Sequence, residues 1–455
     1  MRIPSSAWYQ TCLRYYPDHR CPSPARKEKK IVTPTRQRAT QPELPAASPL
    51  DRRRGRSALS PKRPSEDTAG FADVFPYYAG FAYDWARALL ASQDIADTAV
   101  VLDPWNGSGT TTLAAQHEGF RAVGIDRNPV ANIVARLRVD AYLTDPVLIT
   151  AAAVKEEEQE GLDDPLCAWF TPESVKRIRE WSNHLSRLPS GKSGLAYVAL
   201  FRSIRSLTSS FEGSNPTWVK RAKSSDDLVT VSAADFDALV MQQQEFIASR
   251  IGASDETPSA PVQLATALSS ALPVSESSVD VVLTSPPYLT RIDYAVAYTR
   301  ELAILGHDIT KDRTLRSALM GTTLIRSTPS STLQVGEIAR TLIEDVTSHS
   351  SKASAGYYRK QVLQYLYDLS AGLDEVTRVT KNGGMLHLVV QDSYYKDVPV
   401  KLADICVEES ILRGWGLTSR EPYIVKRTLT SVNKAARNYK KSEVFETVIS
   451  LRKNS

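Results

Sequence analysis

A chain of 455 residues with 24% charged and 42% hydrophobic side chains is large enough for one big domain with insertions or for two domains, and its composition is that of an ordinary globular protein. No apolar run approaches the roughly 18 residues needed to span a bilayer, and the opening MRIPSSAWYQ lacks the apolar stretch of a secretory signal, so a cytoplasmic protein is expected. The net charge of +5 is unevenly placed: residues 20–66 carry thirteen Lys and Arg against four Asp and Glu, whereas 67–455 is net negative. Four scattered cysteines, Cys12, Cys21, Cys167 and Cys406, make no disulfide framework. Cys12, His19 and Cys21 lack a fourth neighbour to complete a tetrahedral site, so no metal is expected.

Along the chain, residues 1–66 are rich in Pro, Arg, Ser and Lys, including DRRRGR at 51–56, and read as a disordered basic tail. Such an arm would either raise affinity for a polyanion in a salt-dependent way or be only a solvated tail. Order is expected from about Phe71, where FPYYAGFAYDWARALLAS (75–92) runs from aromatic residues into an amphipathic helix. TAVVLDPW (98–105) reads as a strand ending in an acid, GSGTTTLAAQHEGF (107–120) as a glycine turn with a helix, and RAVGIDRNP (121–129) as a second strand ending in an acid. The helix VANIVARLRVDAY follows. Strand, turn, helix and strand form a βαβ unit, which implies an α/β fold with a parallel sheet.

From 142 to 258 the pattern becomes helical, with PESVKRIREWSNHLSRL (172–188), GLAYVALFRSIRSL (194–207) and the turn-rich basic patch FEGSNPTWVKRAK (211–223). Strand signals resume in PVQLATALSSALP (261–273) and SSVDVVLTSPPY (277–288). The segment 308–352 is irregular and Ser/Thr-rich. A helix over 356–380, a strand over 383–393, a helix over 400–415 and a last strand over 443–453 complete the series. The expected organisation is a tail at 1–66, a catalytic domain from 67–141 and 259–455, and an inserted helical region at 142–258.

Two motifs carry chemistry. In DPWNGSGTT (103–111), Gly107 and Gly109 let the backbone turn tightly and approach a ligand, and the next helix offers free N–H groups. A phosphate-cradling loop would need a lysine that is absent, and a dinucleotide fingerprint would need glycine where Thr112 stands. A nucleoside without pyrophosphate remains, and Asp126, nineteen residues after Gly107, stands where an acid takes ribose hydroxyls. That ligand class suggests S-adenosylmethionine. Asp126 could instead cap the next helix. The second motif is Ser285-Pro286-Pro287-Tyr288, which ends the apolar run VDVVLT. Each proline fixes its own φ, so the strand stops at a rigid corner. A small hydroxyl and a main-chain carbonyl there can accept both protons of a planar amino group, and an aromatic ring can stack on a base. The bland alternative is a strand terminator that packs a tyrosine.

DPWNGSGTT, then GIDRNP, then TSPPY resembles the amino-group DNA methyltransferases, and most of all their cytosine-N4 type. The resemblance covers about 71–140 and 261–455 and implies a Rossmann-like class I methyltransferase fold, a mostly parallel sheet with an antiparallel final strand. It implies that Asp103, Trp105, Asn106, Gly107, Ser108, Gly109 and Thr110 line the methionine end of S-adenosylmethionine. Asp126 and Arg127 would hold its ribose side, and Tyr77 lies in the aromatic segment that contacts the cofactor in this family. Ser285, Pro286, Pro287 and Tyr288 would transfer the methyl group to a base flipped from double-stranded DNA. Arg291, Asp293 and Tyr294 would order the loop over that base, or merely start a helix. Trp218, Lys220 and Arg221 of the insertion are candidate phosphate or base contacts.

The strand before the catalytic one lacks the acid that often contacts adenine in this family, offering Ala267 and Leu268 instead. With the last strand near the end of the chain, target recognition is expected in 142–258, with 308–352 as second candidate. Ring-carbon methylation would need a thiolate on a strand-end loop, and no cysteine stands there. Adenine-N6 methylation, RNA amino-group methylation and a non-catalytic nucleic-acid-binding subunit remain rival readings. A nucleoid-associated enzyme with a cognate restriction endonuclease would follow from the family; the oligomeric state is open.

Overall fold

The computed structural model describes residues 59–64, 69–78, 80–141, 146–157, 163–213, 219–252, 260–289, 292–326, 334–425 and 444–455. These residues belong to one compact unit, 57–455. DRRRGR, Cys12, His19, Cys21, Trp218 and Arg291 lie outside the described residues. Residues 59–64, assigned to the tail by composition, are instead held against the folded unit. Lys62 bridges Phe81, the Pro61 carbonyl accepts from the Ala82 N–H at 2.8 Å, and Arg63 donates to the Ala72 carbonyl at 2.6 Å.

The strands are β1 (Val100–Asp103), β2 (Arg121–Ile125), β3 (Val262–Ala265), β4 (Val279–Thr284), β5 (Thr380–Gln391), β6 (Ser393–Tyr395), β7 (Val398–Val400), β8 (Trp415–Ile424) and β9 (Phe445–Lys453). The longer helices are α1 (Tyr83–Ala91), α2 (Thr110–His117), α3 (Pro129–Asp140), α4 (Pro172–Ser186), α5 (Ser190–Leu207) and α6 (Ala233–Gly252). Three short helices follow, α7 (Tyr294–Ala297), α8 (Thr299–Ile304) and α9 (Arg313–Ser317), and then α10 (Glu337–Ser348), α11 (Arg359–Val379) and α12 (Leu402–Ile411).

Seven strands form one sheet in the order β3-β2-β1-β4-β5-β9-β8. All neighbours are parallel except β9, which runs antiparallel to both β5 and β8. This is the class I methyltransferase sheet that the motifs implied. Its inner strands are near-continuous apolar runs because both faces are covered. On β1, Val101 enters the apolar cluster with α1 and α2, while its neighbour Leu102 enters the cluster with α11 and α12. The chain runs from β1 towards β3 on one side and from β4 towards β8 on the other. The order therefore reverses between β1 and β4, and the ligand crevice of an open α/β sheet lies outside the carboxyl ends of the strands at such a point.

Three expectations need correction. The helix expected to 415 stops at Ile411, and Trp415 opens β8, a strand the sequence pattern did not reveal. Its buried indole donates to the Thr377 hydroxyl at 2.8 Å, and the strand as a whole alternates irregularly because it lies at the sheet edge. The region 261–273 contributes only the four residues of β3. Helices α4 to α6 do occupy the 142–258 region, but their apolar faces share one cluster with Phe71, Phe75, Val130, Leu137, Tyr298 and Leu302. Arg179 of α4 reinforces this by donating to the Ala303 and Ile304 carbonyls at 2.9 and 2.8 Å.

The sheet also buries a histidine. His387 on β5 is enclosed, with Nδ1 at 2.9 Å from the Ser450 hydroxyl and Nε2 at 3.2 Å from Gln93 Oε1. Burial lowers its pKa from 6.5 to about 4, so the folded ring is neutral where the unfolded one takes up a proton. Stability held above pH 6.5 is thus lost as pH falls towards 4, by about 3 kcal/mol at full protonation of the unfolded state. Urea denaturation from pH 4 to 8 is expected to show an acid-side loss that is reduced by about that amount in His387→Gln.

Candidate functional site

Parallel pairing of Val101 with Val281 and Leu102 with Val282 brings the carboxyl ends of β1 and β4 side by side. The glycine turn and the Ser-Pro-Pro-Tyr corner therefore meet, although some 180 residues separate them. The buried Asp103 carboxylate joins them. Oδ1 accepts from the Thr284 hydroxyl at 2.6 Å and the Trp105 N–H at 3.1 Å, and Oδ2 accepts from the Thr111 hydroxyl at 2.7 Å. Burial raises its pKa to about 6 against the lowering effect of these donors. The far side of the corner is pinned too, because the Tyr365 hydroxyl donates to the Pro287 carbonyl at 2.8 Å.

The turn that follows β1 depends on its glycines. Gly107 has φ 49° and Gly109 φ 83°, in the region that side chains avoid. A Cβ on Gly107 would lie 3.1 Å from the Tyr77 ring, and one on Gly109 would lie 2.8 Å from Ala135. Asn106 is buried against Gly124 and accepts from the Thr112 hydroxyl at 3.2 Å. Behind the turn, Arg138 of α3 donates to the Ser108 carbonyl at 2.8 Å, to the Ser108 hydroxyl at 3.0 Å and to the Thr110 hydroxyl at 3.2 Å.

Asp126 stands just after β2. It accepts the Gly107 N–H and the Asn128 N–H, each at 2.8 Å, and burial raises its pKa to about 6. The cap of α3 is Asn128, which accepts from the Val130 N–H at 3.1 Å with Pro129 in the first turn. Asp126 is thus free of the capping role. A carboxylate has about four acceptor positions, so two remain towards the cleft that Asp126 lines.

That cleft encloses about 880 Å³ of empty space, its open mouth included, which suits a nucleoside-sized ligand. It brings together Tyr77, Trp105, Gly107, Asp126 and Arg127 from the expected cofactor set with Ser285 and Pro287 from the corner. Leu268, Ser269 and Ser270 line it where the acid that would contact adenine is lacking. Tyr77 is held flat by stacking on Tyr298 at 4.7 Å and 12°. An acid for hydroxyls, flat rings and an apolar leucine for a base, and exposed backbone at a glycine turn fit S-adenosylmethionine.

Other expected residues do not face the cleft. Asp103, Asn106, Ser108, Gly109 and Thr110 build the turn from beneath, and Pro286 is buried in the corner. Tyr288 is only 8% exposed, packed in a core cluster with Leu289, Met320 and Tyr365. The aromatic ring that the cleft receives beside Tyr77 belongs instead to Tyr294. Asp293 is buried and capping α7, and it also accepts from Arg316 at 2.9 Å, the Thr323 N–H at 3.0 Å and the Thr323 hydroxyl at 2.8 Å. It orders the loop after the corner and is not open to substrate. Lys220 and Arg221 are exposed and outside the cleft lining, with Arg221 5.8 Å over the buried Trp169 ring.

Sequence reasoning missed Arg138, Arg326, Tyr365 and Asp368. Arg138 had a signal, a cation on the same helical face as Val130 and Val134. The others come from segments whose approach to the corner no local pattern encodes. Neither described cysteine lines the cleft, and burial pushes the thiols of Cys167 and Cys406 above the ordinary range.

No family model matches the chain. In sequence it is 24% identical over 284 residues to the type II methyltransferase M.BsoBI of Geobacillus stearothermophilus, covering 54% of this chain and 55% of that protein. It is 24% identical over 371 residues to the type II methyltransferase M.AvaI of Nostoc, covering 72% and 75%. The chain thus spans about half the length of the first of these relatives. Among solved structures, geranyl diphosphate methyltransferase in complex with its methyl donor matches 82% of this chain and 86% of its own at 7% identity, with a TM-score of 0.32, too low to add to the topology. The resemblance to amino-group methyltransferases is borne out by the sequence relatives.

The turn can be tested at Gly107. An alanine there is strained by about 1 kcal/mol through its positive φ and presses on Tyr77. Gly107→Ala is expected to weaken binding of S-adenosylhomocysteine by about tenfold or more by calorimetry, while Gly119→Ala, also at positive φ but with open space around its Cβ, leaves it within about twofold.

Proposed function

We propose that this chain, a relative of the type II methyltransferases, is an S-adenosylmethionine-dependent DNA methyltransferase that methylates the exocyclic N4 amine of cytosine within a specific site. The observation that carries this reading is the meeting of the glycine turn and the Ser-Pro-Pro-Tyr corner across one cleft, locked together by Asp103. DNA as the polymer is supported by what the relatives are named for. Cytosine is supported by the serine that heads the corner, where adenine enzymes of this family usually carry an acid or asparagine.

The donor, when bound, supplies an electrophilic methyl group. Asp126 accepts its ribose hydroxyls, while Tyr77, Trp105 and Leu268 enclose its flat and apolar parts. The target amine is conjugated with its ring and is a poor nucleophile. One proton hydrogen-bonds to the Ser285 hydroxyl, which lines the cleft, and the other to a main-chain carbonyl of the corner, which favours a pyramidal nitrogen with its lone pair free. These acceptors cannot drift. Each proline fixes φ, Asp103 holds Thr284 immediately before Ser285, and Tyr365 holds the Pro287 carbonyl. In-line displacement needs such positioning more than covalent help. A base inside a duplex cannot reach this cleft and is flipped into it, with Tyr294 as the aromatic wall.

Nucleosides from DNA treated with the protein and donor are expected to contain N4-methylcytosine by mass spectrometry; N6-methyladenine, or no methylated base, would overturn the assignment. Ser285→Ala is expected to lower kcat by about 10²-fold, as when one positioned hydrogen bond is removed, with donor affinity unchanged. The raised pKa of Asp126 sets a second expectation. Its carboxylate is the acceptor, so donor affinity is level above pH 7 and falls by up to about tenfold per pH unit below 6. Calorimetry from pH 5 to 8 checks this, and Asp126→Asn is expected to bind more weakly with a flatter profile.

A further inference from the structure

The cleft holds one strongly polar group that neither the donor site nor the amine acceptors use. Arg326 and Asp368 line it together with Ser285 and Pro287. Arg326 comes from the irregular segment after α9, and Asp368 from the middle of α11. Arg326 Nη2 donates to both carboxylate oxygens of Asp368 at 2.6 Å. The Arg326 N–H donates to Gln364 Oε1 at 2.9 Å, and Gln364 Nε2 in turn donates to the Leu324 carbonyl at 3.2 Å. The segment is therefore clamped to α11 at successive points, and the guanidinium is held through Nη2 alone. Its Nε–H and both Nη1 protons bond to no described residue. The pair is partly withdrawn from water, with side chains 32% and 15% exposed, and its spare donors are open to a ligand in the cleft that it lines.

The chemistry that fits these spare donors follows from the edge of the base presented to the corner. On cytosine, the amine, ring N3 and 2-carbonyl lie in a row, and the last two are acceptors. On adenine, the amine is followed by one acceptor, N1, and then by a C–H. Both planar forks of a guanidinium, Nε with Nη2 and Nη1 with Nη2, include Nη2, which Asp368 holds. The free donors point apart and offer the base one hydrogen bond, and the acceptor that cytosine has and adenine lacks is the 2-carbonyl. We infer that Arg326, oriented by Asp368, donates to the 2-carbonyl of the flipped base and so selects cytosine over adenine. The inference rests on the proposed function, whose amine-accepting corner fixes which edge of the base faces inward. Asp368 is a positioning residue in this scheme. It holds Nη2 and balances the cation, and it leaves a free N–H for the base.

The test uses the full chain, a duplex carrying the site that sequencing of the wild-type product reveals, and a second duplex whose target is a carbon-linked 2-aminopyridine nucleoside, which keeps the amine and the adjacent ring nitrogen but has a C–H in place of the 2-carbonyl. For wild type, Arg326→Ala, Arg326→Lys and Asp368→Asn, kcat/KM is measured on both duplexes, with S-adenosylhomocysteine affinity and thermal unfolding alongside. Arg326→Ala is expected to lose about 10- to 100-fold on the cytosine duplex, the worth of one hydrogen bond from a charged donor. On the carbonyl-lacking duplex it should lose several-fold less, and donor affinity should stay within twofold. Arg326→Lys recovers part of the loss. Asp368→Asn falls between wild type and Arg326→Ala, with the same dependence on the 2-carbonyl. An equal loss on both duplexes, or a loss of donor affinity, overturns the inference and makes the pair a loop fastener or a donor ligand. Wild-type rates in Arg326→Ala overturn it as well. Failure of the wild type to methylate cytosine instead overturns the function it rests on, so the two failures are separable.

Discussion

The rest of this structure depends on a buried carboxylate. Asp103 accepts from a main-chain N–H in the glycine turn, from a hydroxyl at the start of α2 and from a hydroxyl at the end of β4. Removing a carboxylate from water is costly, and the rise of its pKa to about 6 records that cost. Three directed hydrogen bonds offset part of it. What the protein gains is registry. The end of β1, the helix that follows it and the residue before Ser285 cannot move independently, so donor and acceptor halves of the cleft are built against one fixed point. Charge-assisted bonds of this kind are short and directional, which suits a reaction that depends on alignment.

Around that point the cleft is held by contacts that leave its inner surface open. Arg138 supports the turn from behind, Tyr365 holds the corner from the α11 side, and Asp293 gathers the loop that carries Met320 and Thr323. Bulk is missing where close approach requires it. A Cβ on Gly124 would lie 2.4 Å from Asn106, and one on Gly372 would lie 2.6 Å from the Trp105 ring. Asn106 and Trp105 occupy those spaces, so one places the turn against β2 and the other places the cleft wall against α11. The aromatic stack of Tyr77, Tyr298 and Tyr294 does the same for the opposite elements. The donor-binding segment before α1 and the segment after the corner thus become one surface.

The split between the catalytic part and the helical insertion looks different in three dimensions. Composition separates 142–258 cleanly, yet Trp169, Trp181 and Phe201 share one apolar cluster with Phe75, Val134 and Tyr298. Tyr298 is also the ring on which Tyr77 stacks. The helices therefore brace the wall of the cleft from outside, while Lys220 and Arg221 remain on an exposed turn away from its lining. Residues that line the cleft beside the corner come from 318–326 and α11, within or beside the segment that composition ranks second for recognition.

The sequence by itself determined the two motifs, the βαβ unit and the acid at 126, because each is a local event. A positive φ demands glycine at 107 and 109, two prolines must end a strand, and an apolar run covered on both faces reads as parallel β. Asp126, marked as a strand-end acid, lines the cleft, and Asn128, two residues on, takes the helix cap. The tertiary structure alone decided which of those residues face the cleft. Tyr288 and Tyr294 are both tyrosines near one corner, and only packing against Met320 and Tyr365 turns the first inward and leaves the second to the ligand. The same holds for the Arg326–Asp368 pair, joined across 42 residues, and for β8, whose edge position blurs the alternation that marks a strand. Local rules specify backbone shape; which side chains meet across long separations is fixed by sheet order, and sheet order is a property of the whole chain.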